Sequence, residues 1–300
     1  MTPEERLQRA RVALEGLSVG DAFGSFFEFN AAMVRLIEER KLPPTPWHYT
    51  DDTNMALSIF QILRQHGQIK QDELAASFAD HFDPMRGYGV GVRTMISRMN
   101  NGEVWRDVAQ DMFWGEGSFG NGGAMRIAPV GAYFADDLDK VVEQAVFAAE
   151  VTHAHPEGIA GAIAIAVATA CASRPDSENI SRQDFIAQVL PHVPVGEVYE
   201  GIMRTRDLPE SMSVPEVAAV LGNGSRVSAQ DTVPLVLWVA GGNLDDYEEA
   251  IWQTASALGD VDTTCAMVGG IVAAHTGIES IPLDWMRYRE RLPEWAFSGE

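Results

Sequence analysis

Apolar residues recur every three or four positions along most of this chain, which is the spacing of amphipathic α-helices. The periodic segments are Leu7–Leu17, Thr53–His66, Leu74–Phe82, Leu138–Val151, Phe185–Val189, Val233–Ala240, Tyr247–Leu258 and Thr264–Thr276. A further segment, Gly158–Ser173, is apolar on all faces, which predicts a buried helix at the centre of the molecule. Because no stretch shows the sustained two-residue alternation of a strand, the pattern predicts an all-α fold.

Two short segments interrupt this helical pattern. Leu42–Pro46 is rich in proline and Gly115–Gly123 is rich in glycine, but neither has the length or polarity of a domain linker. The sequence also contains no convincing internal repeat and no low-complexity stretch. We therefore expect residues 1–300 to form a single domain.

The charge of the chain limits its partners. Forty-three acidic residues against 22 basic ones leave a formal net charge of −21, and such a surface repels a phosphate backbone, which argues against nonspecific nucleic-acid binding. The first ten residues are charged and lack the apolar centre of a signal peptide, and Gly158–Ser173 is too short to span a membrane. The two cysteines, Cys171 and Cys265, do not indicate a disulfide scaffold. We expect a cytoplasmic monomer without a membrane partner.

Two acidic clusters stand directly before predicted helices. The first is Thr50–Thr53, with the sequence TDDT, and the second is Asp260–Thr264, with the sequence DVDTT. Either could simply cap its helix, because Asp and Thr accept hydrogen bonds from free backbone N–H groups. Adjacent carboxylates repel each other, however, unless a cation lies between them. Two such clusters favour a shared site for Mg²⁺, Mn²⁺ or Ca²⁺, since carboxylate and hydroxyl oxygens are hard ligands.

Three other features could carry chemistry, and each has a plain structural alternative. The glycine-rich stretch Gly117–Arg126 could cradle an anion or form a tight structural loop. Glu28, beside three phenylalanines, would have a raised pKa if it were buried, or it could be a surface residue at the end of a helix. His153 could face a ligand or bond to a nearby carbonyl group.

Taken together and in order, these motifs resemble the ADP-ribosylglycohydrolase family. The matching pieces are GDAxGSxxE, TDDT, GNGGAMRIAP, THxHP and GDxDT, followed through the chain from about Leu14 to Trp285. The segment Arg226–Pro234 also looks like part of the family pattern. A bacterial member of the family reactivates dinitrogenase reductase by removing ADP-ribose from an arginine.

The resemblance implies a compact orthogonal helical bundle with two Mg²⁺ or Mn²⁺ ions in a central cleft. The implied metal ligands are Thr50, Asp51, Asp52, Asp260, Asp262 and Thr263. Glu28 is implied as the residue that positions a water or moves a proton, with Asp52 as the second candidate. The implied substrate-binding residues are Ser118, Gly120, Asn121, Gly122, Gly123, Met125 and His153. The chain departs from many relatives at Asn54, where they carry Gln, and in the short stretch between Glu28 and Thr50.

The function that follows from the resemblance is metal-dependent release of ADP-ribose from a modified arginine of a protein. The alternatives are the same reaction on serine, on an ADP-ribose polymer, on a nucleic-acid end or on a small metabolite, and a non-catalytic protein that only binds ADP-ribose or a partner. Retention of all six implied ligands argues against the non-catalytic alternative. We predict that Asp52 and Asp262 approach closely enough to share a pair of cations.

Overall fold

The structure, a computed structural model, describes residues 1–27, 34–174 and 180–298. Within these ranges the regular secondary structure is helical, with no β-strand and only two isolated bridges between extended residues. The α-helices are α1 (Pro3–Gly24), α2 (Val34–Glu38), α3 (Asp51–His66), α4 (Gln71–Asp80), α5 (Val90–Asn100), α6 (Trp105–Gly115), α7 (Gly122–Met125), α8 (Ala128–Tyr133), α9 (Leu138–Glu150), α10 (Pro156–Ala172), α11 (Arg182–Val189), α12 (Glu197–Arg204), α13 (Val214–Leu221), α14 (Ala229–Gly242), α15 (Tyr247–Ser256), α16 (Val261–Thr276) and α17 (Leu283–Tyr288). The all-α prediction is confirmed.

The central helix is α10, as its uniformly apolar sequence predicts. All but three of its side chains are buried, and it packs against α7, α8, α9, α14 and α16. Pro156 lies in its first turn, where a missing N–H group costs nothing, and the His155 side chain accepts a hydrogen bond from the N–H of Glu157. The apolar surface of α10 therefore provides a floor around which the other helices are arranged.

Glycines bring α1 and α16 into close contact. A Cβ atom on Gly16 would lie 2.4 Å from the carbonyl oxygen of Gly269, and one on Gly20 would lie 2.2 Å from that of Cys265. A Cβ on Gly24 would meet the backbone of Asp262 at 2.6 Å. Only glycine allows such an approach, which sets the end of α1 directly beside the start of α16.

Buried apolar side chains form a continuous cluster that extends from α1 to the segment after α17. Phe23 lies at its aromatic centre, with ring centroids 4.9 Å from Trp252 and 4.9 Å from Trp285. A buried ion pair joins Glu15 to Arg289 at 2.6 Å and ties the C-terminal segment to α1. This continuity is what the single-domain prediction requires, although that division stays a prediction. Across the described ranges, no helix combines the length and apolar character needed to cross a membrane.

Candidate active site

The two acidic clusters meet at one cleft, although about 210 residues separate them in the sequence. They lie at the starts of α3 and α16, and the space between them opens into a cavity of about 550 Å³. The predicted site residues that line this cavity are Asp51, Asp52, Ser118, Gly120, Asn121, Gly122, Met125, His153, Asp260, Asp262 and Thr263. Thr50 and Gly123 are not among the residues that line the cavity, and Glu28 lies outside the described residues.

Three buried carboxylates approach one another at the base of the cleft. One oxygen each of Asp21, Asp52 and Asp262 lies within 4.8 Å of the other two, and at least 94% of each residue is buried. The Oδ1 atom of Asp52 is buried without a hydrogen-bond partner among the described residues. Such a buried oxygen is costly unless a positive group meets it. The separation of at most 4.8 Å confirms the prediction that Asp52 and Asp262 approach each other.

Asp21 was not predicted from the sequence as part of the site. It lies in the last turns of α1, and its carboxylate accepts the N–H groups of Thr50 and Thr53 at 3.0 and 3.1 Å and the hydroxyl of Thr53. The hydroxyl of Thr50 lies between two carboxylates, 2.8 Å from Asp21 and 3.0 Å from Asp52. Asp21 therefore holds the start of α3 against α1.

Burial raises the pKa of these carboxyl groups. The pKa of Asp21 rises to about 6, because burial outweighs its hydrogen bonds from Thr53 and Thr50. Burial, together with the negative charge of Asp21, raises the pKa of Asp51 to about 7 and that of Asp52 well above its usual range. Burial thus destabilises the charged form of each carboxylate, the charge of Asp21 adds repulsion at Asp51 and Asp52, and a bound cation would relieve both effects.

The donor set fits a hard divalent cation. It consists of carboxylate and hydroxyl oxygens, which Mg²⁺ and Mn²⁺ prefer. Such an ion would explain two local observations. The Oδ1 atom of Asp52 has no hydrogen-bond partner among the described residues, and three carboxylates lie close together.

Capping accounts for only part of the acidic clusters. Thr50 does cap α3, since its hydroxyl accepts the N–H of Asp52 at 3.4 Å. Asp260 occupies the same position on α16 but makes no capping hydrogen bond, and its Oδ2 instead accepts the amide of Asn121 at 2.7 Å. Capping therefore explains one threonine and leaves the close approach of the aspartates unexplained.

The glycine-rich stretch forms a loop that is held by hydrogen bonds to the first turn of α14. The carbonyl of Phe119 accepts the N–H of Ala229 at 3.0 Å, and the amide of Asn121 also donates to the Thr232 hydroxyl at 3.1 Å. A Cβ atom on Gly120 or Gly122 would lie 3.2 or 3.0 Å from Nε2 of His153. These glycines therefore let the loop close over the histidine ring.

Apolar and basic side chains form the rim of the cleft. Phe113 and Phe119 are 42% and 39% exposed, with ring centroids 6.2 Å apart. Phe113 follows Met112, where α6 departs from helical geometry, and it has a φ of 53°. Arg226 also lines the cavity and extends into solvent, 3.8 Å from Asp231. Phe113 could not be predicted as a site residue from the periodicity, because its exposure results from this local break in the helix.

Asn54, the position at which the chain departs from many relatives, supports a cleft wall. Its amide nitrogen donates to the carbonyl of His81 and to the hydroxyl of Tyr88, both at 2.7 Å. The following segment reaches the site directly, because the carbonyl of Arg86 accepts the N–H of Asp51 at 2.7 Å. Asn54 thus anchors the segment that borders Asp51.

Comparisons with known proteins agree with this geometry. Residues 2–298 match the ADP-ribosylglycohydrolase family. The chain is 30% identical to the human ADP-ribosylhydrolase ARH3, over 96% of this chain and 91% of the relative. It is 24% identical to the ADP-ribosylarginine hydrolase Tri1 of Pseudomonas putida, over 95% of this chain and 75% of the relative. A solved structure titled ADP-ribosylglycohydrolase-related protein complex shares the fold, with a TM-score of 0.61 at 23% identity, covering 96% of this chain and 94% of that one.

Proposed function

Because this chain belongs to the ADP-ribosylglycohydrolase family and is therefore a hydrolase of glycosidic bonds to ADP-ribose, we propose that it releases ADP-ribose from a modified acceptor with the help of divalent metal ions. The observation that carries this proposal is the convergence of two distant aspartate clusters on one cleft that is also lined by a glycine-rich loop. That arrangement offers a place for a cation and a place for a diphosphate side by side.

The metal ligands that we propose are Thr50, Asp51, Asp52, Asp260, Asp262 and Thr263, for two Mg²⁺ or Mn²⁺ ions. When bound, these ions would supply Lewis-acid polarisation of oxygens at the reacting end of the substrate. The chain itself supplies the orientation of the ligands. Asp21 fixes the start of α3, and Asn121 fixes the carboxylate of Asp260.

The substrate is an anion, and the protein carries a net charge of −21, so binding needs a local reversal of that charge. We propose that the loop residues Ser118, Gly120, Asn121, Gly122, Gly123 and Met125 wrap the diphosphate, with His153 beneath them. Arg226 at the rim adds a positive charge in reach of the cleft. The exposed rings of Phe113 and Phe119 offer an apolar surface against which the adenine base can stack.

Hydrolysis also needs a group that positions water and accepts its proton. We propose Glu28 for this role, with Asp52 as the second candidate. Burial first, and then the negative charges of Asp21 and Asp51, raise the pKa of Asp52 well above its usual range, so this carboxyl group holds a proton more readily than an exposed one. Glu28 is assigned from its place in the family motif.

We propose arginine on a protein as the first acceptor to test. The guanidine that leaves from ADP-ribosylarginine becomes a cation, which an acidic surface attracts, and Tri1 is named for that substrate. Serine-linked ADP-ribose, ADP-ribose polymer, a nucleic-acid end and a small metabolite are the alternatives. A nucleic-acid substrate should bind weakly outside the cleft, because the net charge of −21 repels its phosphates.

The test is release of free ADP-ribose from a panel of arginine-, serine- and polymer-linked substrates in the presence of Mg²⁺ or Mn²⁺. Asp52→Asn should abolish release, whereas Asp136→Asn, which changes a partly exposed carboxylate paired with Arg9 on the outer surface, should not. Release from the arginine substrate alone supports the arginine proposal, and release from another substrate alone replaces it. Binding of ADP-ribose without release from any substrate would support the non-catalytic alternative.

A further inference from the structure

A buried arginine, Arg126, and Thr152 form a chain of hydrogen bonds that ends at Nδ1 of His153. We propose that Arg126 and Thr152 act as positioning residues that fix which ring nitrogen of His153 carries hydrogen, so that Nε2–H faces the glycine-rich loop as a donor for the diphosphate. The hydrogen assignment concerns the free protein. Only the part that involves the diphosphate rests on the proposed function.

Arg126 is fully buried beneath the site. Its guanidinium donates to the carbonyl of Ala148 at 3.1 Å and to the hydroxyl of Thr152 at 2.7 Å, and it lies over the ring of Phe78. A guanidinium has five N–H donors and no acceptor. The direction of the bond to Thr152 is therefore determined: the hydroxyl oxygen accepts.

The bond from Arg126 also determines how the Thr152 hydroxyl can contact His153. Its hydroxyl has a single hydrogen, and Nδ1 of His153 lies 2.7 Å from the oxygen. If Nδ1 carried a hydrogen, it could donate to the second lone pair of the hydroxyl oxygen, but the threonine hydrogen would then have no acceptor among the hydrogen bonds of the described residues, which is unfavourable for a buried group. The arrangement satisfies both groups when the hydroxyl donates to a bare Nδ1.

The remaining hydrogen of a neutral ring is then on Nε2. Burial, with a further contribution from the charge of Arg126, lowers the pKa of His153 to about 3, so the ring is neutral at physiological pH. Nε2 has no acceptor among the described residues, and the positions of a Cβ on Gly120 and Gly122 lie 3.2 and 3.0 Å from it. A donor is thereby presented to whatever anion the loop holds, without a proton having to be taken up.

The hydrogen position can be measured directly by long-range ¹H–¹⁵N correlation spectroscopy on protein labelled with ¹⁵N-histidine. The His153 signals are assigned from their loss in His153→Asn. We expect the wild-type protein to show Nε2–H with a bare Nδ1. A wild-type spectrum with hydrogen on Nδ1, or with two equally populated forms, would overturn the proposal, whether or not the Thr152 variants fold.

Two substitutions of Thr152 separate positioning from packing. Thr152→Val keeps the shape but removes the hydroxyl, so we expect a mixture of the two tautomers and an ADP-ribose affinity about 10- to 100-fold lower by calorimetry. Thr152→Ser keeps the hydroxyl and should restore both. If the valine variant folds and keeps the wild-type spectrum and affinity, the proposal is wrong. A wild-type Nε2–H signal without measurable ADP-ribose binding would instead refute the proposed function and leave the hydrogen assignment intact.

Discussion

Asp21 connects two helices through one carboxylate. It is fully buried in α1 and receives the backbone N–H groups of Thr50 and Thr53 from the start of α3. Because Thr50 also contacts Asp52, a shift of Asp21 would disturb the proposed metal ligands. The geometry thus gives Asp21 a positioning role even if it binds no metal itself.

Asp21→Asn should weaken this connection. The amide offers one acceptor oxygen, but its NH₂ group faces N–H and O–H donors, so a buried pair is left unsatisfied. We expect a loss of about 1–3 kcal/mol in the free energy of unfolding, together with a smaller stabilisation by Mg²⁺. Urea titration with and without metal measures both, and Asp136→Asn is the matched control. Equal stability of Asp21→Asn and the wild type would contradict this role.

Glu28→Gln tests the proposed proton acceptor. The amide keeps the size and much of the hydrogen bonding of the carboxylate but cannot take up a proton. Turnover should fall by about 10²–10⁴-fold, while ADP-ribose affinity changes far less. Steady-state kinetics on a substrate that the wild type cleaves, paired with calorimetry, separates the two effects. Near-normal turnover would move the search for the base to Asp52.

The sequence could identify the two aspartate clusters because each combines adjacent hard ligands in a position where a single acid would serve as a cap. It could not assign Asp21 in the same way, since one acid in a helix has no distinguishing local pattern. Phe113 was also missed, because the break of α6 at Met112 that exposes its ring is not visible in the periodicity. Contacts between distant segments bring Asp21 to the site, whereas a local change of backbone geometry exposes Phe113.

At the scale of helices, the periodicity placed α3, α9 and α10 within two residues of their observed ends but began α4, α11, α14 and α16 three or four residues late. The apolar pattern started α14 at Val233 and α16 at Thr264, whereas the helices begin at Ala229 and Val261. Their first turns carry Asp231 and Asp262, whose polar side chains interrupt the apolar pattern. The site residues are thus in the turns that the pattern omits.

The contact between α1 and α16 should be the element most sensitive to a single methyl group. In Gly20→Ala, the new Cβ would lie 2.2 Å from the carbonyl oxygen of Cys265, so the helices must separate. We expect a loss of about 1–3 kcal/mol in the free energy of unfolding, in spite of the better helix propensity of alanine. Turnover should also fall, because Asp21 and Asp262 move apart.

Gly89→Ala is the control for that substitution. Its Cβ would meet nothing within 4 Å, and the φ of Gly89 is −60°, which alanine adopts without strain. Chemical denaturation of the two variants should therefore differ clearly. If Gly20→Ala is as stable as Gly89→Ala, the two helices are not held at the distance described above.

At the scale of the molecule, acidic charge dominates, and three of the buried carboxylates lie together where a cation would be bound. In the metal-free protein, burial raises the pKa of Asp21 to about 6 and that of Asp51 to about 7, from 3.8 in a model compound. Between the ordinary pKa of 3.8 and these raised values, the folded state therefore binds more protons than the unfolded state. The stability that protonation provides is complete below about pH 4 and is lost as the pH rises through 6 and 7.

Metal and protons should therefore compete for these carboxylates. The melting temperature of the metal-free protein should fall between about pH 5.5 and pH 8, and the increase caused by Mg²⁺ should be larger at pH 8. Thermal denaturation at both pH values, with EDTA or with saturating Mg²⁺, measures the effect. Since all other charges are common to both samples at each pH, a metal-induced increase that does not depend on pH would count against a cation among these groups.

The most direct test of the account is the rate of ADP-ribose release by enzyme stripped of metal with EDTA, followed as Mg²⁺ is added back. We expect no measurable release before addition, a saturable recovery afterwards, and no recovery in Asp52→Asn. Full turnover by protein shown by elemental analysis to contain no divalent metal would contradict the proposal that the two aspartate clusters form the catalytic centre through bound cations.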